Sequence, residues 1–188
     1  MSANEYKIVL VGDTNVGKSS IAIRFTQSRF IENIDTTVGA AFLTKKIRYN
    51  DVDYMLNLWD TAGQEKYNSL IPMYYRNACA AIIVYDITNE HSLNSAGRWL
   101  NELYRIVPDV FILLVGNKCD LEHKVLQTSI DNYVNKYNLK HLEVSAKTNH
   151  NINEMFDLIL PNIIINDENA PLIHQIKQLT DHDNKCGC

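Results

Sequence analysis

The glycine-rich stretch at residues 12–19 has the residue types needed to hold phosphate groups. Its sequence, GDTNVGKS, matches the pattern G-x-x-x-x-G-K-[ST]. In such a loop the backbone N–H groups form a nest for phosphates, the lysine places a positive charge on them, and the serine hydroxyl is a hard oxygen ligand for Mg²⁺. A chance glycine-rich turn is the alternative. The residues predicted here to bind a nucleotide are Asp13, Thr14, Asn15, Val16, Gly17, Lys18, Ser19 and Ser20.

A second cluster of polar residues follows at 59–65, with the sequence WDTAGQE. Asp60 can hold the metal through a water, and Gln64 can orient a water for attack on the terminal phosphate. The N–H group of Gly63 can sense that phosphate. The cluster is weak support by itself, and its position after the phosphate loop strengthens it.

The sequence NKCD at residues 117–120 predicts the base of the nucleotide. The Asp120 carboxylate can accept hydrogen bonds from guanine N1–H and from the exocyclic amine. Adenine presents an acceptor in place of that N1–H, so the carboxylate would reject it. Lys118 can lie over the base plane, and the Ala146 N–H can meet the guanine oxygen. Asp120 as a surface turn residue is the alternative. The predicted set is Asn117, Lys118, Asp120, Ser145, Ala146 and Lys147.

Two residues between the first helix and the first hairpin are further candidates. Thr37 can ligate Mg²⁺ and bond the γ-phosphate only while that phosphate is present, which would make its loop a switch. Chemistry alone does not separate Thr37 from its neighbour Thr36. Phe30 can contact the base with its ring, or it can be a core residue at the end of the helix.

The pattern of apolar residues predicts the elements that must position these motifs. Strands are expected at 6–11, 42–49, 52–59, 80–86, 111–117 and 141–144, and helices at 18–27, 93–106, 129–137 and 152–165, with Thr128 and Asn151 as N-caps. This order predicts an α/β three-layer domain. Its six-stranded, mostly parallel sheet has one antiparallel edge strand and helices on both faces. Ligands in such folds bind at the carboxyl ends of the strands, where the motifs lie.

Composition excludes other classes. The 188 residues carry a formal net charge of −4 and no basic stripe, so a nucleic-acid partner is not expected. Four cysteines and six histidines lack the spacing of a disulfide framework or a zinc site. The N-terminus lacks the pattern of a signal peptide, and the apolar runs are too short to span a bilayer. The chain is therefore expected to begin in the cytosol.

Together these motifs resemble the Ras superfamily and, within it, the Rab family. The Rab resemblance rests on WDTAGQE, on YYR at 74–76 and on the terminal Cys-Gly-Cys, while 38–44 and 67–73 look like the early-endosomal branch. It implies a P-loop GTPase domain at 1–166 and a flexible tail at 167–188. It also selects Thr37 as the switch threonine and Phe30 as the guanine contact. Phe42, Trp59 and Tyr74 are implied to form a hydrophobic patch read by effectors, with partial core burial as the alternative.

The resemblance implies hydrolysis of GTP to GDP and phosphate, with Lys18, Thr37 and Gln64 as catalytic residues. Thr14 and Asn15 are larger than the residues usual in the family, so intrinsic hydrolysis is predicted to be slow. Arg24 and Arg29 flank the far end of the first helix and are interpreted as surface charge, so fast turnover would need an activating protein. The rivals are an ATP-using P-loop kinase and a nucleotide-binding scaffold with negligible hydrolysis.

The tail resembles a double geranylgeranylation signal with Cys186 and Cys188 as acceptors, and two lipids give firm anchoring. The implied partners are an exchange factor, an activating protein, effectors, and prenyl-delivery and GDP-dissociation-inhibitor proteins. The expected location is the cytoplasmic face of endosomal membranes, with a cytosolic pool. The GTPase domain is expected to be monomeric.

Overall fold

The computed structural model describes residues 4–63 and 71–168. Its elements, in chain order, are β1 (Asn4–Val11), α1 (Lys18–Gln27), β2 (Ala40–Tyr49), β3 (Val52–Thr61), α2 (Ile71–Tyr75), β4 (Ala80–Asp86), α3 (Glu90–Ile106), β5 (Phe111–Asn117), α4 (Gln127–Tyr137), β6 (Lys140–Val144) and α5 (Ile152–Glu168). Gln64 lies outside the described residues, and so does the predicted tail at 167–188, with Cys186 and Cys188, apart from residues 167–168, which end α5.

The elements form one six-stranded sheet in the order β2-β3-β1-β4-β5-β6. Only the β2–β3 pair is antiparallel, and every other neighbouring pair is parallel. The turn of this hairpin is Asn50-Asp51, and both residues have positive φ values, of 48° and 61°. Asn and Asp tolerate this left-handed region better than most residues, which is why the pair predicts a hairpin turn. The predicted sheet, including its antiparallel edge strand, is confirmed.

Two apolar cores lie on opposite faces of the sheet, and β1 contributes to both. Ile8 and Leu10 belong to the core covered by α1 and α5, while Val9 and Val11 belong to the core under α2, α3 and α4. Successive side chains of a strand point to opposite faces, so a central strand must be apolar at every position. The helices on both faces predicted from the sequence follow from this pattern.

The helix ends differ in part from the prediction. Helix α4 begins at Gln127 after Leu126, whose side chain gives no cap, so Thr128 lies inside the helix and its prediction as N-cap is wrong. Asn151 does precede α5, and its carbonyl accepts from the Met155 N–H. Its side-chain amide, however, donates to Glu143 O at 2.9 Å. The short helix α2 was not predicted.

No helix among the described residues is long and apolar enough to cross a membrane.

Candidate functional site

The loops after β1, β3, β5 and β6 meet at the carboxyl edge of the sheet around a cavity of about 300 Å³. The predicted residues that line it are Thr14, Asn15, Gly17, Lys18, Ser19, Ser20, Phe30, Thr37, Gly63, Asn117, Lys118, Asp120, Ala146 and Lys147. Thr36 lines it as well. The wall is completed by five residues that were not predicted to bind the nucleotide: Glu32, Ile34, Asp35, Thr61 and Leu121. The topology thus brings four separate motifs to one place.

The phosphate-loop lysine is buried at the start of α1. Its Nζ donates to the carbonyls of Gly12 and Asp13, at 2.8 Å each, so the ammonium is held inside the loop. Burial lowers the pKa of Lys18 to about 8, and the nearby carboxylates of Asp60 and Asp13 oppose that shift. Gly17 precedes this lysine with a φ of 97°, and a Cβ there would lie 2.2 Å from Asn117 Nδ2. The loop therefore needs glycine at this position.

Two residues of the predicted nucleotide-binding set also support the loop from behind, through the side chain of one and the carbonyl of the other. The side chain of Asp13 is directed at α3, where Oδ1 accepts from Trp99 Nε1 at 3.1 Å and from Arg98 Nη2 at 3.2 Å. Val16 is buried, and its carbonyl accepts from Asn117 Nδ2 at 2.9 Å. Neither residue lines the cavity. These contacts fix the loop against α3 and β5.

Oxygen atoms of Ser19, Thr37 and Asp60 converge next to Lys18. Asp60 Oδ2 accepts from Ser19 Oγ at 2.6 Å and from Thr37 Oγ1 at 3.2 Å, and the two hydroxyls lie 2.9 Å apart. Asp60 Oδ1 is buried and has no hydrogen-bond partner among the residues that the structure describes. Burial raises the pKa of Asp60 against the hydrogen bond from Ser19 and the charge of Lys18. Two hydroxyls and a buried carboxylate form an oxygen donor set that suits Mg²⁺.

Gly63 lies directly against the phosphate loop. A Cβ at this position would be 2.5 Å from the Thr14 nitrogen and 2.7 Å from the Gly12 oxygen. The end of β3 can therefore approach the loop only because residue 63 has no side chain. Gln64, the predicted water-orienting residue, follows immediately but lies outside the described residues.

At the other end of the cavity, polar groups fix the orientation of Asp120. Ser145 Oγ donates to Asp120 Oδ1, and the same hydroxyl oxygen accepts from the Thr148 N–H at 3.0 Å. Ser145 is fully buried and acts on the carboxylate from outside the cavity wall. The Ala146 N–H donates to Asn117 Oδ1 at 3.2 Å. A carboxylate and a backbone donor are thus held side by side.

Lys118 is paired with a carboxylate that the sequence analysis did not single out. Its Nζ donates to Asp86 Oδ2 at the end of β4. Burial alone would raise the pKa of Asp86, but the hydrogen bonds from Lys118 and Thr88 outweigh it and hold that pKa below its ordinary value. Lys118 also has a positive φ of 71°. The ion pair fixes the lysine at the wall of the cavity.

The structure bears on the two pairs of alternatives that chemistry left open. The hydroxyl of Thr37 joins the oxygen cluster, whereas Thr36 is exposed at the cavity wall. Phe30 satisfies both alternatives, because its ring lines the cavity and also packs against the core of α1 and α5.

Arg24 is not the surface charge that its position predicted. It is half-buried and donates to three backbone carbonyls, those of Ala146, Lys147 and Ser28. Arg29, in contrast, is exposed. The interpretation of Arg24 as surface charge is therefore wrong. The hydrogen bonds that contradict it join Arg24 to Ala146 and Lys147, which are more than a hundred positions away in the sequence.

The aromatic residues of the predicted patch are in contact beside the cavity. The ring centroids of Phe42 and Trp59 lie 5.2 Å apart, and those of Trp59 and Tyr74 lie 6.0 Å apart. Phe42 is 55% exposed, whereas Tyr74 is buried at 9%. Lys7 Nζ lies 4.5 Å from the Trp59 ring centroid. Partial core burial, the alternative, therefore holds for Tyr74, and Phe42 is the exposed member.

Fold and site together define a P-loop nucleotide-binding domain with a wall suited to guanine. Comparison with known proteins identifies a family within this class. The sequence model described as "Ras family" matches residues 7–165. Human Ras-related protein Rab-22A is 42% identical over 174 residues, covering 91% of this chain and 90% of its own length. Ras-related protein Rab-5A of Dictyostelium discoideum is 45% identical over 155 residues, covering 81% and 77%.

The chain belongs to the Ras family of small GTPases, and its relatives place it among the Rab proteins. The resemblance read from the sequence is thereby confirmed, including the likeness to the branch that holds Rab-5A and Rab-22A. Like other members of this family, the protein is an enzyme that hydrolyses GTP.

Proposed function

We propose that this protein is a membrane-anchored guanine-nucleotide switch that recruits effectors in endosomal vesicle traffic, with slow intrinsic hydrolysis. The observation that carries the proposal is the pairing of two sets of groups in one cavity. Lys18, Ser19 and Thr37 line one end, where Asp60 accepts from both hydroxyls, and Asp120 with Ala146 lines the other. The first set suits Mg²⁺ and phosphates, and the second suits guanine.

At the phosphate end, the backbone N–H groups of the loop and Lys18 would hold the β- and γ-phosphates. Ser19 and Thr37 would ligate Mg²⁺ directly, and the buried Asp60 would hold it through water. The donor set fits, because Asp60 Oδ1 is a buried acceptor that lacks a partner within residues 4–63 and 71–168. When bound, Mg²⁺ neutralises charge on the phosphate oxygens during in-line displacement.

Hydrolysis in this scheme depends on positioning. Gln64 would orient the attacking water, while Lys18 and Thr37 stabilise charge on the transferred group. Thr14 lines the cavity, and we propose that its side chain hinders that water and slows the reaction. An activating protein would then supply the missing stabilisation.

At the base end, the Asp120 carboxylate would accept from guanine N1–H and the exocyclic amine. Ser145 supports this role by donating to one carboxylate oxygen. The Ala146 N–H, which donates to Asn117 Oδ1, would share its hydrogen with the guanine oxygen. Phe30 and Lys118 would flank the ring. An adenine base would leave Asp120 facing an acceptor, which disfavours the ATP-using alternative.

The switch would act through the loop that carries Thr37. Loss of the γ-phosphate removes a partner of Thr37 and of Gly63, and both loops border the aromatic patch of Phe42, Trp59 and Tyr74. Phe42 offers an exposed aromatic surface for an effector. Such a switch also needs an exchange factor.

We further propose that lipids on Cys186 and Cys188 attach the protein to the cytoplasmic face of endosomal membranes. Prenyl-delivery and GDP-dissociation-inhibitor proteins would handle the lipidated chain and maintain a cytosolic pool. Two lipids would be needed because a single lipid gives only marginal anchoring.

The proposal is tested by displacing fluorescent GDP from the purified protein with GDP, GTP or ATP, and by following single-turnover hydrolysis of bound GTP. GDP and GTP are expected to compete and ATP is not. The hydrolysis rate is expected to be low and to rise in Thr14→Gly. Equal competition by ATP would contradict the guanine site, and a wild type that binds GTP but never cleaves it would favour the scaffold alternative.

A further inference from the structure

The guanidinium of Arg24 connects α1 to the loop that carries the proposed base donors. Its Nε donates to Ala146 O at 2.7 Å and its Nη2 donates to Lys147 O at 2.9 Å. Arg24 does not line the cavity, whereas Ala146 and Lys147 both do. The arginine therefore holds two successive carbonyls of this loop from its outer side.

Holding a carbonyl also aims the next N–H group. A planar trans peptide directs its N–H opposite to its C=O. The Ala146 carbonyl points to Arg24, so the Lys147 N–H points away from Arg24, towards the side where the cavity lies. The loop thus gains a donor for a base oxygen beside the Ala146 N–H.

The second carbonyl that Arg24 holds, that of Lys147, is linked to the Asp120 carboxylate through the Ser145 hydroxyl. The Lys147 carbonyl shares its peptide with the Thr148 N–H, which donates to Ser145 Oγ at 3.0 Å. That hydroxyl in turn donates to Asp120 Oδ1. Fixing this one peptide plane therefore also fixes the hydroxyl that orients the Asp120 carboxylate.

A third contact joins the same arginine to the other side of the base. Nη1 donates to Ser28 O at 3.1 Å, and Ser28 is the left-handed C-cap of α1, with a φ of 54°. The guanidinium carbon lies 6.0 Å from the centroid of the Phe30 ring, which lines the cavity. The planar guanidinium of Arg24 therefore links the loop of Ala146 and Lys147 to the segment of Ser28 and Phe30.

We propose that Arg24 is a positioning residue that sets guanine selectivity and the lifetime of the bound nucleotide without touching the nucleotide. The inference rests on the proposed guanine site. The planar fork is essential to it, because a lysine ammonium is a point charge that does not match two carbonyls at fixed spacing.

The test measures GDP dissociation and the preference for GDP over IDP, which lacks the exocyclic amine, in wild type, Arg24→Gln and Arg24→Lys. Hydrogen bonds to charged donors are worth enough that Arg24→Gln is expected to speed GDP dissociation by about tenfold or more. Arg24→Lys falls between that variant and wild type. The preference for GDP over IDP falls in both variants. Arg29→Gln, on an exposed neighbour, is the matched control and is expected to behave as wild type.

One further readout separates positioning from general loosening of the fold. The single-turnover rate of cleavage of bound GTP reports the phosphate end and is expected to stay within about twofold of wild type. A loss of base preference with unchanged cleavage supports the proposal, and a parallel loss of both overturns it. If Arg24→Gln does not fold, Arg24→Lys carries the same comparison.

The result also distinguishes this inference from the proposed function. A wild type that does not prefer GDP to ADP would contradict the proposed function itself. A wild type that does prefer GDP, with both Arg24 variants equal to it, would overturn only the role of Arg24.

Discussion

Replacing Gly63 with alanine tests how closely the end of β3 must approach the phosphate loop. The added Cβ would lie 2.5 Å from Thr14 N, 2.6 Å from the Asp13 carbonyl carbon and 2.7 Å from Gly12 O. All three are backbone atoms, so none can rotate away. Ordinary contact begins near 3.4 Å. The two segments must therefore separate by about 1 Å, which is enough to break a hydrogen bond of normal length.

The bond at stake is the proposed one from the Gly63 N–H to the γ-phosphate, which GDP lacks. A hydrogen bond to a charged acceptor contributes about 1.5–3 kcal/mol. Gly63→Ala is thus expected to lower affinity for a non-hydrolysable GTP analogue, relative to GDP, by roughly 10- to 100-fold. Displacement of fluorescent nucleotide measures both affinities in Mg²⁺ buffer.

Gly97 supplies the matched glycine-to-alanine control. A Cβ there would meet only the hydroxyls of Tyr133 and Tyr137, each at 3.6 Å. Because Gly97 lies inside α3, Gly97→Ala is expected to raise the free energy of unfolding by about 0.5–1 kcal/mol without changing nucleotide preference. If Gly63→Ala kept the wild-type ratio of GTP-analogue to GDP affinity, the inference that β3 must approach the phosphate loop this closely would be refuted.

Three other predictions address other parts of the site. Asp120→Asn is expected to weaken GDP binding by about 100-fold or more and to favour XDP, as measured by competition, because the amide can donate to the xanthine 2-oxygen; unchanged base preference would count against the carboxylate's role. Trp99→Phe replaces the buried indole with a smaller ring that has no donor for Asp13, so urea unfolding is expected to show a loss of at least about 1–3 kcal/mol; equal stability would show that neither the bond nor the indole packing contributes. His141 is hydrogen-bonded to the Tyr85 hydroxyl, and burial lowers its pKa below the ordinary value of 6.5. As the pH falls below that value, the imidazole of the unfolded chain is protonated before that of the folded protein, so the free energy of unfolding decreases. A His141→Gln variant whose stability depends on pH as in the wild type, between about pH 5.5 and 7.5, would contradict this.

Local patterns were enough to predict the strands and the placement of the motifs. Strands β4 and β5 are mostly apolar and are buried along almost their whole length because both faces are covered, and the phosphate loop follows β1 directly. The approach of four loops to one edge then follows from parallel strand order. The sequence therefore predicted the cavity and most of its lining.

Contacts between distant residues were beyond these patterns. Arg24 and Ala146 are 122 positions apart, and Asp13 and Trp99 are 86 apart. No periodicity connects such pairs, so Arg24 resembled a solvated charge, and the hydrogen bonds of the Asp13 side chain to α3 could not be predicted. The Thr128 cap failed for a different reason: α4 begins at Gln127, so Leu126 takes the N-cap position without a side-chain hydrogen bond and Thr128 is already inside the helix.

The central claim is that the γ-phosphate orders the loop carrying Thr37. Its most direct test is hydrogen–deuterium exchange of a peptide covering residues 30–40, with the protein loaded with Mg²⁺ and either GDP or a non-hydrolysable GTP analogue. Exchange is expected to be clearly slower in the GTP-analogue state than in the GDP state. The Thr37→Ala variant is expected to lose most of this difference between the two states. Equal exchange in the two nucleotide states of the wild-type protein would contradict it.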